Sequence, residues 1–175
     1  VVLFVHRLSR RKGSHKILPI AERVTKNVRD VIFLIIGSGP EYDNLKLEII
    51  NLKLEKNIRL VGEIANRDIP AYFAVADALF MPSEEEGFPH VLLEAMAAGV
   101  PYTVSDVGGV REITPPELQE YVFPEGDIGA FSDKISKLLN MNQEEREKII
   151  RAEQDWVRQY DINEVLPKFI SLFQP

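Results

Sequence analysis

Short apolar runs alternate with helical segments along most of the chain, and this alternation limits the folds it can adopt. Six runs rich in Val, Ile, Leu and Phe predict strands at residues 1–5, 31–36, 58–61, 78–81, 100–105 and 121–123. Continuous apolar runs are typical of strands that are covered on both faces of a parallel sheet. Strands that alternate with helices form right-handed crossover units. The pattern predicts an α/β fold with a Rossmann-like, doubly wound parallel sheet of about six strands.

The last third of the chain predicts helices and no further strand. Apolar residues recur at helical spacing over residues 128–138, 149–160 and 162–172. No low-complexity segment or linker interrupts the chain, and its 175 residues fall within the usual size of one domain. Residues 1–175 are therefore expected to form one domain with helices at its C-terminal end.

Composition excludes several functional classes. The net charge of −6 argues against a broad nucleic-acid surface, so the expected partner is a small molecule. The chain has no cysteine, which excludes thiolate metal sites and a cysteine nucleophile and fits a reducing compartment such as the cytoplasm. The three histidines show no metal-ligand spacing, and no metal site is expected. No apolar run approaches the roughly 20 residues of a membrane span, and residues 1–5 lack the features of a leader.

Polar and glycine-rich loops follow the predicted strands, where ligands bind in doubly wound sheets. These loops are residues 7–13, 37–40, 62–64, 84–89 and 106–109. On the first of them, the fork of Arg7 and the point charge of Lys12 suit the oxygens of a diphosphate. A solvated basic loop with no ligand is the alternative, because charged side chains usually lie in water.

An acidic loop runs into an apolar helical segment over residues 82–101. Glu86 precedes the helix, whose free N–H groups form a natural anion site at its start. Glu94 is expected about a turn and a half inside. The segment is apolar nearly all round, so Glu94 is expected to be buried and to need a partner. A basic residue of the domain and the hydroxyls of a ligand remain equal alternatives for that partner.

Two glycine pairs, Gly37 with Gly39 and Gly108 with Gly109, carry weaker signals. The third glycine of a dinucleotide-binding fingerprint is missing, because Tyr42 and Asp43 stand in that region. No Lys-Ser or Lys-Thr pair of a phosphate-binding loop follows either. Tight turns are the favoured interpretation of the first pair, and the second pair stays ambiguous. The missing fingerprint also weighs against a nicotinamide-dependent dehydrogenase.

Taken together, several short motifs resemble the C-terminal, donor-binding domain of family 4 glycosyltransferases, which have the GT-B fold. The motifs cover almost the whole chain in the expected order. They are His6-Arg7-Leu8 with Lys12-Gly13, Gly37 with Gly39-Pro40, Val61-Gly62, Ala76-Asp77-Ala78, Pro82-Ser83, Glu86-Gly87-Phe88-Pro89, Glu94 to Pro101, and Gly108 to Glu112. The most specific is the pair Glu86 and Glu94 with seven residues between them.

The resemblance implies one half of a GT-B enzyme that transfers a sugar, with retention, from a nucleotide-diphosphate sugar to an acceptor hydroxyl. The donor would be a UDP- or GDP-sugar, and neither a cofactor nor a metal would be required. By position, Arg7 and Lys12 would neutralise the diphosphate and the charge on the leaving group. Glu86 would hold hydroxyls of the transferred sugar. These three are the implied catalytic residues.

The remaining site residues implied by the resemblance bind the donor. Backbone N–H groups near Gly87, Phe88 and Pro89 would face the sugar and phosphate, although Pro89 itself has no N–H to donate. Val91 would pack near the ribose and Glu94 would accept its hydroxyls. The backbone at Glu63 and Ile64 would lie near the base.

Departures from the family pattern qualify these implications. His6 stands where these enzymes usually have glycine, and Tyr102 is bulkier than the residue common at its position. The N-terminal acceptor domain of the family is not in this sequence, so the chain alone is expected to be inactive, with its last helix, which includes Leu172 and Phe173, packing partly on that domain. The acceptor would be a glycan, a lipid or a small molecule, and the longer enzyme could attach peripherally to a membrane. A sugar-nucleotide epimerase and a non-catalytic nucleotide-sugar binding module remain alternatives.

Overall fold

Six strands form one parallel sheet in the computed structural model, which describes residues 1–171. The strands are β1 (Val2–Val5), β2 (Phe33–Ile36), β3 (Ile58–Gly62), β4 (Ala78–Met81), β5 (Tyr102–Ser105) and β6 (Val122–Phe123). Their order is β3-β2-β1-β4-β5-β6, and each neighbouring pair is parallel. The predicted doubly wound, Rossmann-like sheet is confirmed. The strand order reverses between β1 and β4, where ligands bind in such folds.

Helices connect the strands and form the C-terminal part of the described chain. They are α1 (Ile17–Asn27), α2 (Tyr42–Asn51), α3 (Ile69–Phe73), α4 (His90–Ala98), α5 (Val110–Ile113), α6 (Ile128–Leu139), α7 (Gln143–Val157) and α8 (Ile162–Ser171). Short 3₁₀ turns lie at Arg10–Lys12, Ser14–Lys16, Asn66–Asp68, Pro116–Tyr121 and Arg158–Tyr160. The C-terminal helices fall where the apolar spacing predicts them, and Asp127 caps α6 by accepting the N–H of Ala130 at 2.8 Å.

The sheet separates two apolar cores. Alternate residues of β1 point to opposite faces, with Val2 and Phe4 in one core and Leu3 and Val5 in the other. Helices α1, α2 and α6 cover the first core, while α4 and α7 cover the second. Both faces are buried, which explains why the strand sequences are apolar at nearly every position. The two cores fix the strand ends from which the ligand-binding loops project.

Helix α4 packs through one face only, which corrects the expectation that it is buried nearly all round. Leu92, Ala95 and Met96 are buried, whereas Glu94 and Ala97 are exposed. The neighbouring α3 has only 5 residues, so it leaves that side of α4 open. Alanine packs against protein or faces water at little cost, and a run rich in alanine therefore does not reveal which face is covered.

Helix starts differ from two further expectations. Ser14 does not cap α1, because its hydroxyl donates to the carbonyl of Ser9 at 2.6 Å and the helix begins only at Ile17. The helix expected from Asp68 to about Ala76 is the short α3, and the Asp68 side chain forms no capping hydrogen bond.

Helix α8 presents apolar side chains to solvent. Its exposed residues are Ile162, Val165, Leu166, Phe169 and Ile170. Leu172 and Phe173, which the sequence assigns to the same helix, lie outside the described residues. Within residues 1–171, no helix combines the length and the apolar character needed to cross a membrane.

Candidate functional site

A cleft of about 620 Å³ opens at the carboxyl ends of β1, β2 and β3 and runs along α4. The residues that line it are Val5, His6, Arg7, Ile36, Gly37, Ser38, Gly39, Glu63, Ile64, Asn66, Ile69, Val91 and Glu94. Five predicted site residues are therefore brought together, although they come from two separate loops and a helix: Arg7, Glu63, Ile64, Val91 and Glu94. The other five, Lys12, Glu86, Gly87, Phe88 and Pro89, lie on the loops beside this cleft rather than in its wall.

Glycines let two loops pack together in the wall of the cleft. Gly37 has a positive φ of 132°, and a Cβ there would lie 1.9 Å from the carbonyl oxygen of His6. A Cβ on Gly39 would lie 2.3 Å from the carbonyl oxygen of Leu8. Leu8 donates its N–H to the carbonyl of Ser38 at 2.9 Å, which holds the loops in register. These glycines allow a close backbone contact between two loops, a role that the tight-turn interpretation does not include.

Arg7 and Glu94 provide opposite charges at the cleft. Neither side chain forms a hydrogen bond or salt bridge with another residue in the described part of the chain. Partial burial raises the pKa of Glu94, and the charge of His90 offsets this only in part. Two kinds of partner were considered for Glu94. No basic side chain within residues 1–171 forms a salt bridge with it, and the carboxylate faces a cavity instead. A hydroxyl-bearing ligand in the cleft would supply the missing hydrogen bonds.

Glu63 has its orientation fixed by a neighbouring loop. The hydroxyl of Ser38 donates to its Oε2 at 2.9 Å, and both residues line the cleft. Gly37 also donates its N–H to the carbonyl of Gly62 at 2.8 Å. The backbone before Ile64 is thereby held against the second loop, at the end of the cleft away from α4.

Glu86 is the most strongly held carboxylate near the site. Its side chain is only 4% exposed, and its Oε2 accepts a hydrogen bond from Nζ of Lys12 at 2.7 Å. Nε2 of His6 lies 2.9 Å from Oε1. Burial raises the pKa of Glu86, but the contacts with His6, Lys12 and Ser83 outweigh burial and bring the pKa to about 2. Lys12 and Glu86 are therefore brought together, but each already has a partner.

The contact with His6 was missed by sequence reasoning. The only available signal was the histidine itself, which stands where the family resemblance leads one to expect glycine. A glycine at that position could not reach Glu86. Nothing in the spacing along the chain connects two residues that are 80 positions apart.

Basic residues of the first loop hold the acidic loop in place. Arg11 donates from Nε to Oε2 of Glu85 at 2.7 Å in an exposed pair. Nε2 of His15 lies 3.2 Å from Oε1 of Glu84. Lys16 is nearly buried, and its Nζ donates to the carbonyl of Pro82 at 3.2 Å. The ligand edge therefore consists of two loops of opposite charge that are fixed to each other.

The start of α4 has fewer free donors than the sequence predicts. His90 donates its N–H to the carbonyl of Phe88 at 3.0 Å, and Leu92 donates to the carbonyl of Pro89 at 3.0 Å. Gly87 and Phe88 are exposed, while Pro89 is buried at the N-cap position. A ligand at this helix start would use the N–H groups that remain, which include that of Val91.

Gly108 and Gly109 pack against the acidic loop at Glu86 and Gly87. A Cβ on Gly108 would lie 1.9 Å from the carbonyl oxygen of Glu86, and Gly108 has a positive φ of 53°. Gly109 donates its N–H to the carbonyl of Gly87 at 3.2 Å. The pair, which the sequence left ambiguous, packs against the acidic loop in this structure. Across residues 1–171, no three His, Asp or Glu side chains are grouped so that they could hold a metal ion.

Comparison with known proteins identifies relatives over nearly the whole chain. The sequence profile of the family described as "Glycosyl transferases group 1" matches residues 1–156. A phosphatidyl-myo-inositol mannosyltransferase of Mycobacterium leprae is 31% identical over 175 residues, which cover 99% of this chain and 46% of that protein. A 2-deoxystreptamine N-acetyl-D-glucosaminyltransferase of Niallia circulans is 24% identical and matches 98% of this chain and 44% of its own length. The chain thus spans less than half the length of these curated relatives.

Solved structures of glycosyltransferases share the fold. TarM of S. aureus, in a complex with UDP, superposes with a TM-score of 0.83 at 23% identity, covering 99% of this chain and 35% of TarM. HepE of Anabaena, also in a complex with UDP, gives a TM-score of 0.81 at 24% identity, covering 97% of this chain and 48% of HepE. At these identities the likeness concerns the fold.

Proposed function

Because the chain belongs to the group 1 family of glycosyl transferases, we propose that it binds the donor in an enzyme that transfers a sugar from a nucleotide-diphosphate sugar to an acceptor hydroxyl. The observation that carries this proposal is the cleft at the strand ends, where Arg7 and Glu94 stand without partners among residues 1–171. A donor of this class has anionic phosphates for the guanidinium and ribose hydroxyls for the carboxylate.

Arg7 is the principal diphosphate ligand in this proposal. Its guanidinium lines the cleft, is exposed, and can offer two parallel N–H groups to phosphate oxygens. Lys12 contributes its charge from the adjoining loop, although its Nζ already donates to Glu86 and to the carbonyl of Glu85 at 3.1 Å. Both cations favour the negative charge that grows on the leaving nucleoside diphosphate.

The nucleoside occupies the α4 side of the cleft. Glu94 accepts the ribose hydroxyls, and Val91, one turn earlier on α4, packs against the ribose. The base lies toward Glu63 and Ile64, where main-chain groups and the carboxylate fixed by Ser38 are available. With Arg7 at the diphosphate and Glu94 and Glu63 at the nucleoside, every guanidinium and carboxylate in the wall of the cleft has a role.

The transferred sugar lies toward the acidic loop. Gly87 and Phe88 are exposed there and Pro89 ends the loop, so the backbone before α4 is open to a ligand. Glu86 holds the hydroxyls of the transferred sugar at this end of the site. Its pKa of about 2 keeps it ionised at any physiological pH, which suits a group that acts through its negative charge.

The finer features of the reaction are part of the same proposal. Transfer proceeds with retention, as in family 4, and requires no metal ion or cofactor. The acceptor, a glycan, a lipid or a small molecule, is bound by an N-terminal domain outside this sequence, so the 175-residue chain alone transfers little or no sugar. The enzyme works in the cytoplasm, with peripheral attachment to the membrane where the acceptor is a lipid.

Titration calorimetry of the chain with UDP, GDP, UDP-glucose, GDP-mannose and NAD tests the proposal. We expect a UDP or GDP form to bind and Glu94→Ala to weaken that binding at least tenfold. Glu48→Ala is the matched control, because Glu48 is also an exposed helical glutamate but lies on α2, outside the cleft. Tight binding of NAD with none of the other four ligands would refute the proposal in favour of a dehydrogenase.

A further inference from the structure

His6 stands between Glu86 and the cleft. It follows β1 directly, lines the cleft, and is 18% exposed, whereas the carboxylate behind it is 4% exposed. Its Nε2 lies 2.9 Å from Oε1 of Glu86. A ligand in the cleft therefore meets the imidazole before it can meet the carboxylate.

The two carboxylate oxygens of Glu86 differ in how they are satisfied. Oε2 accepts a hydrogen bond from Lys12 at 2.7 Å. Oε1 is fully buried and has no partner of ordinary hydrogen-bond geometry among residues 1–171, and Nε2 of His6 at 2.9 Å is the charged contact that the structure gives it. Nε2 must carry a hydrogen in this arrangement, because a lone pair there would face an ionised oxygen.

The other ring nitrogen of His6 is free to act on a ligand. Nδ1 of His6 forms no hydrogen bond within residues 1–171. It is also absent from the fully buried polar atoms that lack a partner, so it is accessible to a ligand. The 2.9 Å contact of Nε2 with Glu86 directs the opposite edge of the ring, which carries Nδ1, away from the carboxylate, and carboxylates orient histidines in this way in many functional sites. Glu86 is well placed to position His6 but poorly placed to reach a ligand itself.

We propose that Glu86 acts on the donor through His6: the carboxylate orients the imidazole, and Nδ1 of the imidazole forms the hydrogen bond to a hydroxyl of the transferred sugar. This inference rests on the proposed function and makes its sugar end specific. Glu86 is then a positioning residue, and His6 is the residue that contacts the sugar.

The surroundings of His6 suit a hydroxyl better than a second phosphate. Glu86, which also pairs with Lys12, lies against Nε2 of His6, and Arg7 is the next residue in the chain. Glu63 and Glu94 line the same cleft. Arg7 already supplies an exposed cation for the diphosphate. With Nε2–H directed at Glu86, Nδ1 of a neutral ring accepts a hydrogen bond from a hydroxyl and Nδ1–H of a protonated ring donates one, so a hydroxyl suits both charge states.

Two substitutions separate the hydrogen bonds of His6 from its bulk. His6→Leu removes both ring nitrogens, while His6→Gln keeps an amide N–H for Glu86 and a carbonyl for the sugar. His15→Gln is the matched control, because His15 lies in the 3₁₀ turn Ser14–Lys16 just after the basic loop and its Nε2 is 3.2 Å from Glu84 rather than from Glu86. Each chain is titrated with UDP, UDP-glucose, GDP and GDP-mannose, and the ¹³C resonance of the Glu86 carboxyl is followed with pH.

We expect His6→Leu to weaken binding of the preferred sugar nucleotide about tenfold, as for loss of one ligand hydrogen bond, and to change binding of the corresponding nucleoside diphosphate less than twofold. The pKa of Glu86, read from its carboxyl ¹³C resonance, should rise by about 1 pH unit or more when His6 is replaced by leucine. His6→Gln should restore most of the sugar-nucleotide affinity, and His15→Gln should change neither quantity.

The outcomes separate this inference from the proposed function. If nucleoside diphosphates bind but His6→Leu leaves the preference for sugar nucleotides unchanged, the sugar contact is wrong while the proposed function stands. An unchanged Glu86 titration in His6→Leu would overturn the positioning role, whatever binds. If the unaltered chain binds no nucleotide at all, the proposed function fails, and the sugar contact fails with it.

Discussion

Replacing Glu86 with glutamine should destabilise the chain by an amount that depends on pH. The pKa of Glu86 is lowered from 4.5 to about 2 in the folded chain, a difference that corresponds to about 3 kcal/mol of stability. Because the folded pKa lies below the unfolded value, this stability is fully present above pH 4.5 and is lost as pH falls toward 2. Glu86→Gln resembles the protonated state, so at pH 7 it should cost about 3 kcal/mol.

Urea unfolding at several pH values between 3 and 7 measures this effect. The single tryptophan, Trp156, is a suitable probe because its Nε1 donates to the carbonyl of Ile113 at 2.9 Å in the folded chain. Glu85→Gln is the control, since Glu85 is an exposed neighbour that pairs with Arg11 and should matter little. The difference between the original chain and Glu86→Gln should shrink below pH 4.5. A difference that is constant over this range, or absent at pH 7, would show that the ionised form of Glu86 does not stabilise the fold.

Three other substitutions test separate parts of the structure. Burial raises the pKa of Glu153 well above its usual value, and neither carboxylate oxygen has a hydrogen-bond partner in the described chain. In urea unfolding, Glu153→Gln should therefore stabilise the chain at pH 8 and change its stability little at pH 4. A loss of stability at pH 8 would contradict this sign. Gly37→Ala should cost about 1–3 kcal/mol because of its positive φ and the contact with His6, whereas Gly87→Ala, which has open space, should cost much less in the same assay; equal costs would contradict the packing argument. Arg7→Ala should weaken nucleoside diphosphate binding at least tenfold in calorimetry without changing the free energy of unfolding, because Arg7 is exposed and has no partner in residues 1–171. A loss in the free energy of unfolding as large as the loss in binding free energy would contradict its placement as a ligand group.

The arrangement of the sheet was predictable from sequence because its physical cause is local. Strands that are buried on both faces must be apolar at every position, as Phe33–Ile36 and Ala78–Met81 are. The boundaries were less predictable. The segment before Phe33 is as apolar as the strand, and Val31 is buried in the core although it pairs with no neighbour in the sheet.

The family resemblance assigns both glutamates to the donor site, but the local sequence pattern did not predict their surroundings. Glu94 sits in an apolar run, but α3 is too short to cover its side of α4, so the carboxylate faces the cleft. Glu86 sits in an acidic loop that reads as exposed, but His6 and Lys12 arrive from the first loop and bury it. In both cases the deciding feature belongs to another part of the chain, the short α3 for Glu94 and the contacts of His6 and Lys12 for Glu86, and the local pattern does not record it.

Binding of a nucleoside diphosphate in the cleft along α4 underlies the roles proposed for the site residues, and NMR spectroscopy can locate that binding on the chain. Amide chemical shifts of the ¹⁵N-labelled chain would be followed during titration with UDP and with GDP. We expect the shifts to concentrate at Arg7, Gly37, Glu63, Val91 and Glu94, while α6 on the opposite face of the sheet stays unchanged. Shifts that concentrate on α6, or no shifts at millimolar concentrations of either nucleotide, would contradict binding in this cleft.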